Sequence, residues 1–320
     1  MKRLLIVLSL LAGGCSTSVL VQPFREVACT SETAPVTIAG PSGSSLRLLA
    51  VGDAGEGPEE RGSHLATTIA EMRRIEGADA MLLLGDNIYR CGAKNSSDPA
   101  WQRVIAPLFT VGVPIYPVLG NHDWGRKEQV GCTFSNPAAQ IEKTGTAGFE
   151  LWRFPARSYI VQTEVAELIL FDSTPIAHQW PEEVEQAFCP LRAALAAPKT
   201  RPWRIVVGHH PLYSCGDHGN EQSTLNMRDA LQTLLVQSEV DLYVSGHDHD
   251  LELAPAPVES PVFLVSGSAS KTRRRGACEE SQNFRIAGGF AVLDLTADDL
   301  TIRMHCNGTA APCMERRLTR

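Results

Sequence analysis

Residues 81–89 read Met81-Leu82-Leu83-Leu84-Gly85-Asp86-Asn87-Ile88-Tyr89, a short apolar run, a glycine and then a cluster of polar donors. A run of this length closed by glycine reads as a buried strand stopping at a turn. The pattern recurs. Leu48-Leu49-Ala50-Val51 leads into Gly52-Asp53-Ala54-Gly55, and Tyr116-Pro117-Val118-Leu119 into Gly120-Asn121-His122-Asp123. Ile205-Val206-Val207 leads into Gly208-His209-His210, and Leu242-Tyr243-Val244-Ser245 into Gly246-His247-Asp248-His249. Such turns gathered at one edge of a sheet would pool two Asp, a Tyr, an Asn and three His, an inventory that suits two metal ions.

The segments between these runs alternate in kind. Glu59 to Ile75 is amphipathic, and Trp101, Val104, Ile105, Leu108 and Phe109 fall at helical spacing within 99–109. With the strands around them they predict a β-α-β-α-β beginning. Residues 158–162 and 167–171 predict a hairpin, with its turn at Thr163–Ala166. Pro181, well placed at a first helical position, opens a helix through Ala197. Strands at 203–207 and 241–245 flank a helix near 224–237, and strands at 261–266, 289–295 and 300–305 follow. Strands in both halves, interleaved with helices, predict an α/β (α+β) fold. The expected architecture is a four-layer αββα sandwich of two mixed β-sheets flanked by helices, with the metal site at strand C-terminal ends. The polar segment Gly125–Gly148, just downstream of a donor cluster, is expected to form a rim over the site.

Composition places limits on function. Of 320 residues, 43% are apolar and 20% charged, which is the balance of a folded globular chain. A net charge of −7 gives no global attraction for nucleic acid or anionic lipid. The basic run Arg273-Arg274-Arg275, close to Lys271, reads first as a solvated loop and second as a local phosphate dock. At the amino terminus, Lys2-Arg3 precede apolar residues from Leu4 to Ala12 and then Gly13-Gly14-Cys15. That is an export-signal pattern, too short to span a bilayer stably. It also resembles a bacterial lipoprotein processing site, with Ala12 where Leu is usual. The expected organisation is a signal over 1–15, a tether leading into the domain over 16–45, and one catalytic domain over 46–320. The expected localisation is the periplasm or cell envelope, with lipidation at Cys15 and no other membrane contact. Eight further cysteines, Cys29, Cys91, Cys132, Cys189, Cys215, Cys278, Cys306 and Cys313, suggest disulfides in an exported chain, with the pairing open.

Singly, each donor has an ordinary explanation. Asp53 or Asp86 after a glycine is more often a turn or cap, Asn121 a turn residue, and His209 a satisfied core histidine. The recurrence of one architecture is what overrides those explanations. His247 and His249, two apart, share one side of an extended segment.

The order GDAG, GDNIY, GNHD, GHHP, GHDH resembles the calcineurin-like metallophosphoesterases, over about Leu46 to Leu253. Within them it is similar to the small, tartrate-resistant type of purple acid phosphatase, marked by Tyr89 three positions after Asp86. The resemblance implies Fe(III) at Asp53, Tyr89 and His249, and Fe(II), Zn(II) or Mn(II) at Asn121, His209 and His247, with Asp86 bridging the two. A phenolate favours ferric iron, while imidazole and amide donors suit a divalent ion. The resemblance further implies a phosphoric ester hydrolase, acting on small phosphomonoesters through metal-bound hydroxide. His122 and His218 would contact the phosphoryl group or protonate the leaving oxygen. Asp123 would orient His122 or a neighbouring loop. His210 stands where the mammalian-type enzymes carry tyrosine, and reads as a packed neighbour or a pocket residue. Trp124 is expected to pack under its loop or form a pocket wall, and His64, His178 and His305 to be structural or exposed. Two alternatives stand beside this reading: a phosphodiesterase, nucleotide or phosphoprotein phosphatase on the same core, and a non-catalytic, surface-tethered binding protein. No nucleic-acid or protein partner is evident.

Overall fold

The computed structural model of the chain describes residues 27–29, 34–126, 131–257, 261–273 and 283–320. The expected export signal and Cys15 lie outside these residues. In chain order the first half carries β1 (Val36–Ala39), β2 (Ser45–Val51), α1 (Leu65–Met72) and β3 (Ala80–Leu83). A helical segment over Trp101–Ile105 and Ala106–Val111 follows, then β4 (Ile115–Pro117), α2 (Asn121–Trp124) and α3 (Ala138–Glu142). The second half runs β5 (Tyr159–Gln162), β6 (Ala166–Leu170), α4 (Thr174–Ala177), α5 (Val184–Ala196), β7 (Trp203–Val207), α6 (Gln222–Gln237) and β8 (Leu242–Ser245). It closes with β9 (Leu251–Leu253), β10 (Val262–Ser266), β11 (Phe284–Arg285), β12 (Gly289–Thr296), β13 (Asp299–Cys306) and β14 (Met314–Thr319).

These strands form two mixed sheets. One has the order β1-β5-β6-β7-β8-β10-β9-β11, the other β14-β13-β12-β2-β3-β4. Side-chain alternation explains how the layers stack. Leu168, Leu170, Ile205, Val207, Leu242 and Val244 point into one core, shared with Leu48, Ala50, Leu82 and Leu293 of the other sheet. The intervening Ile169, Val206, Tyr243 and Phe263 form a second core with residues of α4, α5 and α6. Each fully buried aliphatic side chain contributes about 1.5–3 kcal/mol to holding the layers together. The two mixed sheets flanked by helices are as expected from the sequence.

Several boundaries differ. The helix expected over Glu59–Ile75 is only Leu65–Met72, because turns at Gly57–Glu60 and Glu60–Ser63 precede it. The helix expected over 99–109 is a π turn passing into a 3-10 turn, with Pro107 unable to donate a backbone hydrogen bond. The helix expected from Pro181 starts at Val184 and accommodates Pro190 inside it. The tether expected over 16–45 is in part structural: β1 pairs in parallel with β5, and Cys29 is bonded to Cys189. β14 carries Glu315, Arg316 and Arg317 on a sheet edge, a composition that hides a strand from apolar patterning and also protects an edge. Cys91–Cys132 and Cys306–Cys313 are also bonded, as is Cys215. Among the described residues no helix is long and apolar enough to cross a membrane.

Candidate metal centre

The donor clusters do come together, at the C-terminal ends of parallel strands from both sheets rather than at the edge of one. β2, β3 and β4 of the six-stranded sheet deliver Asp53, Asp86, Tyr89 and Asn121. β7 and β8 of the eight-stranded sheet deliver His209, His247 and His249. The turns are tight: Asp53, Asp86 and His247 sit at φ 58°, 51° and 71°, a left-handed conformation unfavourable for branched side chains. Gly85 shares that conformation at φ 88°, and a Cβ there would lie 2.6 Å from His209 Nδ1. Glycine is therefore required at this stop by both backbone and packing.

The donors fall into two groups. Tyr89 Oη lies 2.9 Å from Asp53 Oδ1 and 3.1 Å from His249 Nε2, and the last two atoms are 3.3 Å apart. In the second group His209 Nε2 lies 3.2 Å from both Asn121 Oδ1 and His247 Nδ1. Asp86 Oδ1 is 3.5 Å from His209 Nε2, and Asp53, Asp86 and His209 offer ligand atoms within 4.8 Å of one another. Atoms bound at about 2.1 Å to a common ion lie about 3.0–3.4 Å from each other in octahedral to tetrahedral arrangements. Both groups have that spacing.

Hydrogen-bond chemistry supports the same conclusion. His209 Nδ1 donates to the Leu84 carbonyl at 2.8 Å, so in the neutral ring, the form that binds a metal, Nε2 presents a lone pair. That lone pair faces the carbonyl oxygen of Asn121, another acceptor. Two acceptors held in contact inside a protein call for a cation between them, and the donor set fits a pair of metal ions. The local electrostatics agree. Burial, then Asp53 and Asp86, push the Tyr89 phenol well above its ordinary value, so a phenolate here needs a strongly charged cation. Burial also pushes Asp53 upward, but His249, His209 and the Tyr89 hydroxyl together outweigh this and hold the carboxyl below its usual value.

The surroundings sort the remaining sequence candidates. His122 donates from Nδ1 to the Arg90 carbonyl at 2.8 Å, which leaves Nε2 3.9 Å from Asp86 Oδ2. His218 Nδ1 lies 3.0 Å from Glu221 Oε1, and the Arg273 guanidinium donates to its Nε2. Asp123 accepts from the backbone N–H of Asn87, Ile88 and Gly120 and from Gln140, so it braces the Asp86–Tyr89 turn. Burial, reinforced by Asp86, raises its carboxyl to about 6. His210 is buried behind the centre, against Ser173 and the His247 ring, and is a packed neighbour. Trp124 packs under its loop, donating to Asp172 at 2.9 Å. His64 precedes α1, and His305 stacks on Phe290.

Above the donors opens a cavity of about 580 Å³, lined by His122 and His218 together with Glu56, Arg90, Glu221 and Lys271–Arg273. His178, expected to be structural or exposed, lines this cavity and is held at about 4 chiefly by burial. The rim expected from Gly125–Gly148 is not found: its described residues, 125–126 and 131–148, do not line the cavity. Beyond His122 and His218, only the basic character of residues 271–275 pointed to this wall in the sequence.

The calcineurin-like phosphoesterase family matches residues 46–251, the span that contains every donor just described. The chain belongs to that family. Its calcineurin-like relatives include purple acid phosphatase 4 of Arabidopsis thaliana, 29% identical over 297 residues, 85% of this chain and 83% of that protein. Human tartrate-resistant acid phosphatase type 5 is also 29% identical over 297 residues, 81% of this chain and 86% of that protein. Among solved structures, GAP50, described as the anchor in the inner membrane complex of Plasmodium, has a TM-score of 0.71 at 23% identity, covering 86% of this chain and 89% of that one. The yellow lupin purple acid phosphatase PPD1 has a TM-score of 0.66 at 16% identity, covering 88% of this chain and 55% of that one. Both share the calcineurin-like phosphoesterase fold. Phosphoric ester hydrolysis is the chemistry of the family, and the curated relatives named here are acid phosphatases.

Proposed function

We propose that the chain is an acid phosphomonoesterase of the purple acid phosphatase kind, acting on small phosphate esters at a dinuclear Fe(III)–M(II) centre. The observation that carries this reading is the triangle of Asp53, Tyr89 and His249 beside the second group of Asn121, His209 and His247. The first group would hold Fe(III), the second Fe(II), Zn(II) or Mn(II), and Asp86 would bridge them. When bound, the ions would acidify a water and neutralise charge on the phosphoryl oxygens. His122 is fixed by the Arg90 carbonyl with Nε2 directed at the centre, placed to bind a phosphoryl oxygen or give a proton to the leaving oxygen. His218 bears on the same cavity, its Nε2 accepting from the Arg273 guanidinium. Fold likeness alone does not support catalysis, since the Plasmodium protein is described as an anchor; the complete donor set does.

Disulfides suit an oxidising compartment, and export with lipidation at Cys15 belongs to the same proposal. The test is hydrolysis of an aryl phosphate between pH 4 and 8, with elemental analysis of the purified protein. Two metal equivalents and faster cleavage of a monoester than of the diester with the same leaving group are expected. Folded protein that binds no metal and hydrolyses neither ester would overturn the proposal.

A further inference from the structure

The cavity wall carries charge that the metal donors do not use. Lys271 is paired with Glu56, so that charge is engaged within the wall, while Glu221 lies 3.0 Å from His218 Nδ1. Arg273 and Arg90 are different. The Arg273 side chain makes one hydrogen bond among the described residues, to His218 Nε2. A guanidinium has five N–H donors, so most of its fork remains available. The backbone N–H of Arg273 donates to the His249 carbonyl at 3.2 Å, which anchors the residue directly to a donor segment. Arg90 is exposed, lines the same cavity and has no ion-pair partner among the described residues. Two guanidinium groups thus stand at the mouth of the site in a chain whose net charge is −7.

A ring nitrogen that accepts from arginine cannot carry a proton there, since guanidinium has no acceptor and stays protonated. His218 Nε2 therefore acts as the acceptor that holds the Arg273 guanidinium in place. The His218–Arg273 contact positions a cationic fork in the wall of the cavity above the donors. Planar forks of this kind recognise carboxylate or phosphate through paired N–H donors.

We infer that Arg273, assisted by Arg90, reads a second anionic group on the leaving portion of the substrate. The preferred substrates are then phosphomonoesters that carry a further carboxylate or phosphate. This rests on the hydrolase reading above and adds the class of ester. Phenyl phosphate and 4-carboxyphenyl phosphate differ by that one group, and the corresponding benzylphosphonates report binding without turnover.

For the metal-loaded protein, kcat/KM should favour the carboxylated ester about tenfold, mainly through KM, and the preference should shrink as salt rises. Arg273→Gln should bring the ratio of the two esters close to unity, and Arg273→Lys, which keeps charge without the fork, should leave an intermediate ratio. Calorimetric binding of the two phosphonates should follow the same order, with metal content and thermal unfolding checked for each variant. An unchanged ratio in Arg273→Gln, or an equal loss on both esters, would overturn the inference. Inactivity of the loaded wild type on both esters would instead strike the hydrolase reading, while the phosphonate pair would still test Arg273.

Discussion

Tyr89 is the residue on which the chemistry turns. Its hydroxyl sits between Asp53 and His249, and burial with two nearby carboxylates keeps it a phenol in the absence of a cation. Iron-loaded protein should therefore show a visible charge-transfer absorption that Tyr89→Phe abolishes while metal remains bound. A spectrum unchanged in the variant would show that the phenol is not a ligand. Gly85 makes the complementary point about space. An alanine there would meet the His209 ring and suffer a strained φ of 88°. Gly85→Ala should lower stability by about 1–3 kcal/mol in denaturant titrations and weaken metal retention at the Asn121–His209–His247 group.

The elements hold these residues through contacts the donor motifs do not reveal. α2 carries Asn121 and His122, and it is pinned from below by the hydrogen bond from Trp124 to Asp172 at the end of β6. Arg126 lies 3.9 Å from the Trp180 ring centroid and Arg157 4.7 Å from that of Trp124, and both arginines pair with Glu183. Burial raises the Asp172 carboxyl from 3.8 to about 7, only partly opposed by Arg157, the Thr174 N–H and Trp124. The sign follows from linkage. Below pH 4 both folded and unfolded states hold the proton; as pH rises toward 7 the unfolded state releases it first, and folding loses stability. In metal-free protein, wild type should lose stability relative to Asp172→Asn between about pH 4 and 7, by up to about 1.4 kcal/mol per pH unit. Denaturant midpoints for the two proteins at pH 4.5, 5.5 and 7 give the slope; parallel curves would refute the buried, protonated carboxyl.

At the scale of the whole molecule, the centre joins the two sheets. Asp53, Asp86, Tyr89 and Asn121 come from one, His209, His247 and His249 from the other, so a metal held by both sets would cross-link the layers. Ligands that bind only the folded state stabilise by mass action, about 2.7 kcal/mol at a hundredfold excess over Kd. Chelation should lower the thermal midpoint by several degrees, and restored metal should recover it, as followed by calorimetry.

The runs ending in Gly52, Gly85, Gly120, Gly208 and Gly246, and the donors after them, were legible in the chain because both signals are local. A buried parallel strand needs a continuous apolar stretch, and a tight stop needs glycine. Strand existence followed from the same logic, though charged edge strands such as β14 did not, since their pairing is decided by a neighbour rather than by their own pattern. Sequence by itself thus determined which side chains could bind metal and at which strand ends they lie. Tertiary structure alone decided that those ends belong to two sheets and which cysteines pair. It also decided that Arg90, His178 and Arg273 wall the cavity. Arg273 and His218 stand 55 residues apart and meet because residues 267–273 after β10 run beside His249, the backbone N–H of Arg273 donating to its carbonyl. No periodicity encodes such a meeting, because it depends on the packing of whole layers and not on the spacing within any one of them.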